Sequence, residues 1–180
     1  MKISWNWLNE YLTCENLTIE EASYVLTSIG LEVEAIETFQ SIKGSLEHFY
    51  IGEVITCKKH PNADKLSLTQ VNLGEKLGVK KIVCGAPNVA IGQKVAVALE
   101  GAIIYTLNGE SFSIKNLKIR GEESQGMICA EDELGIGKGH DGILVLDKDA
   151  EAGMPAADYF KIYTDTIFEI GLTPNRTDAM

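Results

Sequence analysis

From about Phe39 to Ala150 the chain is a succession of short apolar runs cut by Gly, Asn and Pro, and that texture admits little besides an all-β body. Strands are expected over residues 49–56, 66–73, 81–84, 94–99, 103–105, 112–114, 117–120, 125–129 and 142–146. Asn108-Gly109 falls between two of them and predicts a tight hairpin, because both central residues of a two-residue turn take φ > 0. Residues 131–134 are expected to make one helical turn. So many short strands with scattered glycines suit a small closed barrel carrying extra hairpins.

The flanks read differently. Ser4 is placed to cap a short helix with Trp5, Leu8, Tyr11 and Leu12 on one face, widened by Trp7. Thr18 and Glu21 form a capping box for a second helix whose apolar stripe is Ala22, Val25, Leu26 and Ile29 and whose end is Gly30. Leu31, Val33 and Ala35 then alternate with Glu32, Glu34 and Glu37, a strand with one wet face. Beyond Ala150, residues 155–160 read as a helical turn and 166–170 as a strand. Thr173-Pro-Asn-Arg-Thr-Asp reads as a capped turn opening a helix that stops at Met180, an ending expected of a piece of a longer product. Segments 1–39 and 151–180 are therefore expected to pack as one small discontinuous α+β domain, with a mainly β domain at 40–150 inserted into it.

Charge divides along the same lines. The formal net charge is −10, yet residues 1–39 hold one Lys against seven Glu and residues 151–180 hold two bases against five acids. The middle holds 13 bases against 14 acids, so it alone can present a basic face, confined to one patch. No apolar run approaches the roughly 20 residues that span a bilayer, and the start, Met-Lys-Ile-Ser-Trp-Asn-Trp, lacks a signal stretch. A soluble, cytoplasmic protein with no membrane partner is expected. Cys14, Cys57, Cys84 and Cys129 lie far apart without a Cys-x-x-Cys pair, as do His48, His60 and His140; buried reduced thiols and no metal site are expected.

The basic excess concentrates in Cys57-Lys-Lys-His-Pro-Asn-Ala-Asp-Lys-Leu66. Lys58, Lys59, Lys65 and His60 are opposed there only by Asp64, and Pro61, Asn62 and Asp64 are turn formers. Taken alone, this reads first as a solvated hairpin turn, since charged turns are usually only that, and second as a contact surface. A second run, from Ser111 to Gly121, carries Lys115, Lys118 and Arg120 and no acid.

Two motifs belong together: His60-Pro-Asn-Ala-Asp-Lys-Leu66 and Arg120-Gly-Glu-Glu-Ser-Gln-Gly-Met-Ile-Cys-Ala130. The pair resembles the tRNA-binding oligonucleotide-binding (OB) fold of synthetase appendages, free-standing bacterial tRNA-binding proteins and the endothelial monocyte-activating polypeptide. Met1-Lys-Ile-Ser-Trp-Asn-Trp-Leu8, Leu26-Thr-Ser-Ile-Gly-Leu-Glu-Val33, Ile82-Val-Cys-Gly-Ala-Pro-Asn-Val89 and Leu172-Thr-Pro-Asn-Arg176 before Asp178 look like the start of the β subunit of bacterial phenylalanyl-tRNA synthetases. The resemblance covers the whole chain. It implies an OB-fold five-stranded barrel inserted into a small discontinuous α+β domain, tRNA as partner, and an α2β2 assembly with the synthetase α subunit and the remaining β-subunit domains. It also implies that ATP and Mg serve only the full synthetase, whose adenylate chemistry and editing lie outside this segment.

On that reading Lys58, Lys59, Lys65, Lys115, Lys118 and Arg120 neutralise phosphates, with His60 beside them; Asn62 and Ser124 bond sugar or base edges, and Met127 packs on an unstacked base. The competing reading gives Asn62 and Asp64 to their turn and Met127 to the core, and sets Glu122 and Glu123 against phosphate. Aromatic residues for stacking are not evident near the motifs. Gly135-Ile-Gly-Lys-Gly-His140 lacks the Ser or Thr of a phosphate loop, and the acids at 131–133 read as a solvated helix start. No nucleophile, general-base or metal constellation stands out, so no catalytic residue and no cofactor are expected in this segment. A docking module within the synthetase and a free-standing tRNA-binding protein are the alternatives.

Overall fold

The computed structural model describes residues 1–172 apart from Thr13, Glu15 and Leu107; the expected capped turn after Leu172 lies outside them. In chain order the elements are β1 (Lys2–Ser4), α1 (Trp5–Tyr11), α2 (Ile19–Ser28), β2 (Glu32–Gln40), β3 (Phe49–His60), β4 (Ala63–Asn72), α3 (Gly74–Leu77) and β5 (Val79–Cys84). There follow β6 (Lys94–Ala98), β7 (Ile103–Tyr105), β8 (Ser111–Ser113), β9 (Leu117–Ile119), β10 (Glu122–Ser124), β11 (Met127–Ile128), β12 (Val145–Leu146), α4 (Ala156–Tyr159) and β13 (Thr164–Gly171). They form two compact units, Met1–Ser41 with the chain from Tyr163 on, and Ile42–Ile162.

In the first unit β13 is the middle strand of an antiparallel sheet ordered β1-β13-β2. Its Phe168 and Ile170 are buried against Ala22, Trp5, Leu26 and Val33, so the strand carries the core. Both helix starts follow the expected chemistry. The Ser4 hydroxyl accepts from the Trp7 N–H at 2.9 Å, and the Thr18 and Glu21 side chains accept reciprocally from each other's backbone N–H at 3.2 and 2.9 Å. Gly30, at φ 91°, ends α2 where a side chain would be strained.

In the second unit the strand order is β11-β6-β3-β4-β5, every neighbour antiparallel, with β12 also paired to β6. Successive side chains of a strand face opposite ways, and β6 shows the result. Val95 and Val97 join Val54, Val71, Leu73, Ile82 and Ile128 inside the curved sheet, while Ala96 and Ala98 pack outward with Phe49, Ile51, Ile104 and Cys129. Gly52 lets Val71 and Leu73 pack close over the backbone of β3, because a Cβ there would stand 2.5 Å from Val71 Cγ1 and 2.8 Å from Leu73 Cδ2.

The mainly β class with helical flanks follows the sequence reading, but the barrel is not closed by strand pairing. Its edges, β5 and the segment leading into β11, are bridged by three bonds, two of them to side chains: the Gln125 N–H donates to Lys81 O at 2.8 Å, the Lys81 N–H to Gln125 Oε1 at 3.2 Å and the Val83 N–H to Ser124 Oγ at 3.1 Å. The residues that would extend the ladder are spent in the β9–β10 hairpin, so the barrel is partly open. The turn at Asn108-Gly109 is also wider than expected. Among the described turn residues only Gly109 is left-handed, its N–H bonding Thr106 O, and the strands close between Thr106 and Glu110. Lastly, residues 151–162 fold with the barrel: the Ile51 N–H donates to Met154 O and the Gly153 N–H to Ile51 O, both at 2.8 Å.

Candidate nucleic-acid interface

The two motifs become two hairpins. In β3–β4, His60 pairs with Ala63 across a Pro61-Asn62 loop, and the Asn62 N–H donates to His60 Nδ1 at 3.0 Å. The register then jumps, so Asp64, Lys65 and Leu66 bulge from the ribbon before Ser67 meets Lys59. In β9–β10, Ile119 pairs with Glu122 across Arg120-Gly121, both left-handed at φ 53° and 98°, the mirror-image turn that follows strand twist. Because Nδ1 of His60 accepts, its proton sits on Nε2, which donates to Ile119 O at 3.3 Å. That bond ties the tip of the first hairpin to the turn of the second.

Lys58, Lys59, Asn62, Lys65, Lys115, Lys118 and Arg120 are exposed, and none of the six cations has an ion-pair partner among the described residues. They do not share one face. Lys58 and Lys59 alternate across the ribbon, and Lys118 stands directly opposite Glu123, which lowers the local positive field. His60 and Ser124, read from the sequence as RNA contacts, are buried at 4% and 2% exposure. Ser124 Oγ accepts from the Val83 N–H and donates to Gly126 O, so its one proton is already committed. Both residues position the hairpins, and neither has a free hydrogen-bond donor.

A groove of about 570 Å³ opens beside these hairpins. Leu66, Leu117, Ile119 and Met127 line it from the motifs, Gly85, Ala86 and Pro87 from the chain after β5, and Phe112 and Lys115 from the chain around β8. Glu133, His140, Asp141 and Ile143 line it from the segment after β11. Asn88 pins that segment: its amide donates to Ile143 O and accepts from the Ile143 N–H, both at 2.9 Å. The hydrogen bond from His140 Nδ1 to Asp132 raises the imidazole's pKa above its ordinary value. The glycine-rich run lies against Glu131: a Cβ at Gly137 would meet its carboxylate, and one at Gly139 would stand 3.0 Å from it. Met127 is half-buried and packs on the core, as the competing reading expects, and it also lines the groove. Phe112 was invisible from the motifs because an intervening hairpin carries it there.

Residues 49–155 match the model of a family described as putative tRNA binding domain. The chain is 55% identical over 99% of its length to the phenylalanine–tRNA ligase beta subunit of Bacteroides fragilis and 46% identical over all of it to that of Chlorobaculum tepidum. It spans about a fifth of each, 22%. Among solved structures, the MetRS-related protein from Pyrococcus horikoshii is similar over 59% of this chain and 85% of that one, at 20% identity and a TM-score of 0.42.

Proposed function

We propose, from the premise that this chain belongs to the family of putative tRNA binding domains, that it docks tRNA by phosphate contact as a non-catalytic part of a phenylalanine–tRNA ligase beta subunit. The observation that carries this reading is the His60–Ile119 hydrogen bond. It holds two basic segments, some sixty residues apart in sequence, on adjacent hairpins, so that cations from each, without ion-pair partners among the described residues, reach a phosphate backbone from the face they share. On this reading the rest of the beta subunit and an alpha subunit supply the ATP- and Mg-dependent attachment of phenylalanine, in the cytoplasm, and this segment uses no cofactor.

Fluorescence anisotropy with tRNA tests it. The chain binds at low salt, and replacing Lys58, Lys59 and Lys65 with Ala weakens binding at least tenfold. Affinity unchanged by that replacement refutes the RNA role. A docking role toward the rest of the synthetase is favoured by a separate observation in the first unit. Trp7 and Tyr11 stack edge to face at 5.2 Å while 57% and 70% exposed, and Tyr24 is 76% exposed.

A further inference from the structure

The groove beside the hairpins combines an apolar lining and an exposed aromatic ring, which phosphate docking does not use, with one of the cations that it does. It is mainly apolar, Phe112 in its wall is 46% exposed, and Lys115 on the same wall has no ion-pair partner among the described residues. An apolar slot rejects a bare phosphate, and a free cation in its wall is ill matched to a wholly apolar occupant. An unstacked nucleotide satisfies both conditions, being flat and apolar on the faces of its base and anionic at its phosphate. The volume, about 570 Å³, lies within the ~300–1,000 Å³ of small-molecule sites. The acids that line the groove, Glu133 and Asp141, come from the segment after β11, and the Glu133 carboxylate is engaged by the Ala130 N–H at 2.7 Å. The Lys115 wall is therefore the side that accepts an anion.

We propose that this groove is a single-nucleotide slot, in which one unpaired RNA base lies against Phe112 and Met127 while Lys115 holds its phosphate. The proposal deepens the reading of the chain as a tRNA-docking module and rests on it. Phe112 supplies the stacking surface that the motifs lack.

The test titrates the 180-residue chain with a single-stranded RNA pentamer carrying 2-aminopurine at its centre, and separately with a fully paired RNA hairpin. The expected result is a change in 2-aminopurine fluorescence on binding. Phe112→Ala should weaken pentamer binding roughly 5- to 150-fold, the range for loss of one stacked base. It should leave hairpin binding and the salt dependence unchanged, and Phe112→Tyr should restore pentamer affinity. The half-exposed ring makes the Ala variant a mild change, and circular dichroism checks that it folds. RNA binding with no fluorescence change, or with no effect of Phe112→Ala, overturns the slot and leaves phosphate docking standing. No binding of either RNA at low salt overturns both. An extended apolar peptide that saturates the groove and excludes the pentamer assigns it to protein and overturns the slot.

Discussion

His60→Ala removes no exposed charge, yet it should weaken both folding and RNA docking. The ring is 4% exposed and makes two hydrogen bonds, accepting from the Asn62 N–H at 3.0 Å and donating to Ile119 O at 3.3 Å. Each bond contributes about 1 kcal/mol net. Truncating a buried ring adds a cavity term, which brings the loss to about 2–3 kcal/mol. For a unit of this size that lowers the Tm by about 6–15 °C in a thermal melt followed by circular dichroism. With the two hairpins untied, tRNA affinity measured by anisotropy should fall several-fold even well below the melting transition. His60→Gln offers an N–H donor group and a carbonyl acceptor on a planar head and should recover part of both losses. A Tm and an affinity that both match the parent chain would show that the bond holds nothing in place.

Four further outcomes follow from the packing and the charges. Gly52→Ala forces a methyl group to 2.5 Å from Val71 Cγ1 and should cost about 1–3 kcal/mol in denaturant unfolding. Thr18→Ala breaks the capping box of α2 and should cost about 1 kcal/mol by the same measurement, with no change in RNA affinity. An NMR titration should place His140 above its ordinary 6.5, falling back in Asp132→Asn; because the folded value is raised, the pair's stabilisation is complete below the unfolded pKa and fades as pH rises through the folded one. Burial pushes the Cys129 thiol well up and that of Cys84 up as well, so iodoacetamide should spare Cys129 until the chain unfolds, whereas half-buried Cys57 reacts sooner.

Local chemistry was the legible part of this fold. The Ser4 cap, the Thr18–Glu21 box and the Gly30 stop each depend on residues within a few positions of one another, and each appears as read. Strand positions in the barrel were legible for the same reason. β10 was not, because Glu122-Glu123-Ser124 has no apolar alternation; only its pairing with β9 makes it a strand. Barrel closure failed as an expectation because ladder pairing between β5 and β11 is a long-range property, decided by where residues 117–124 turn back. The site shows the same division. The exposed lysines were found by composition, but the burial of His60 and Ser124 and the arrival of Phe112 depend on packing between segments far apart in sequence.

The salt dependence of tRNA affinity tests the central claim most directly. Each phosphate neutralised by a lysine or arginine contributes about 0.7–0.9 to the slope of log K against log salt concentration. If both hairpins dock on the backbone, the parent chain has a steep slope. Lys118→Ala with Arg120→Ala should then reduce it by about as much as Lys58→Ala with Lys65→Ala. Slopes that match the parent chain in both double variants would contradict the account, because the cations of the two tied hairpins would then touch no phosphate.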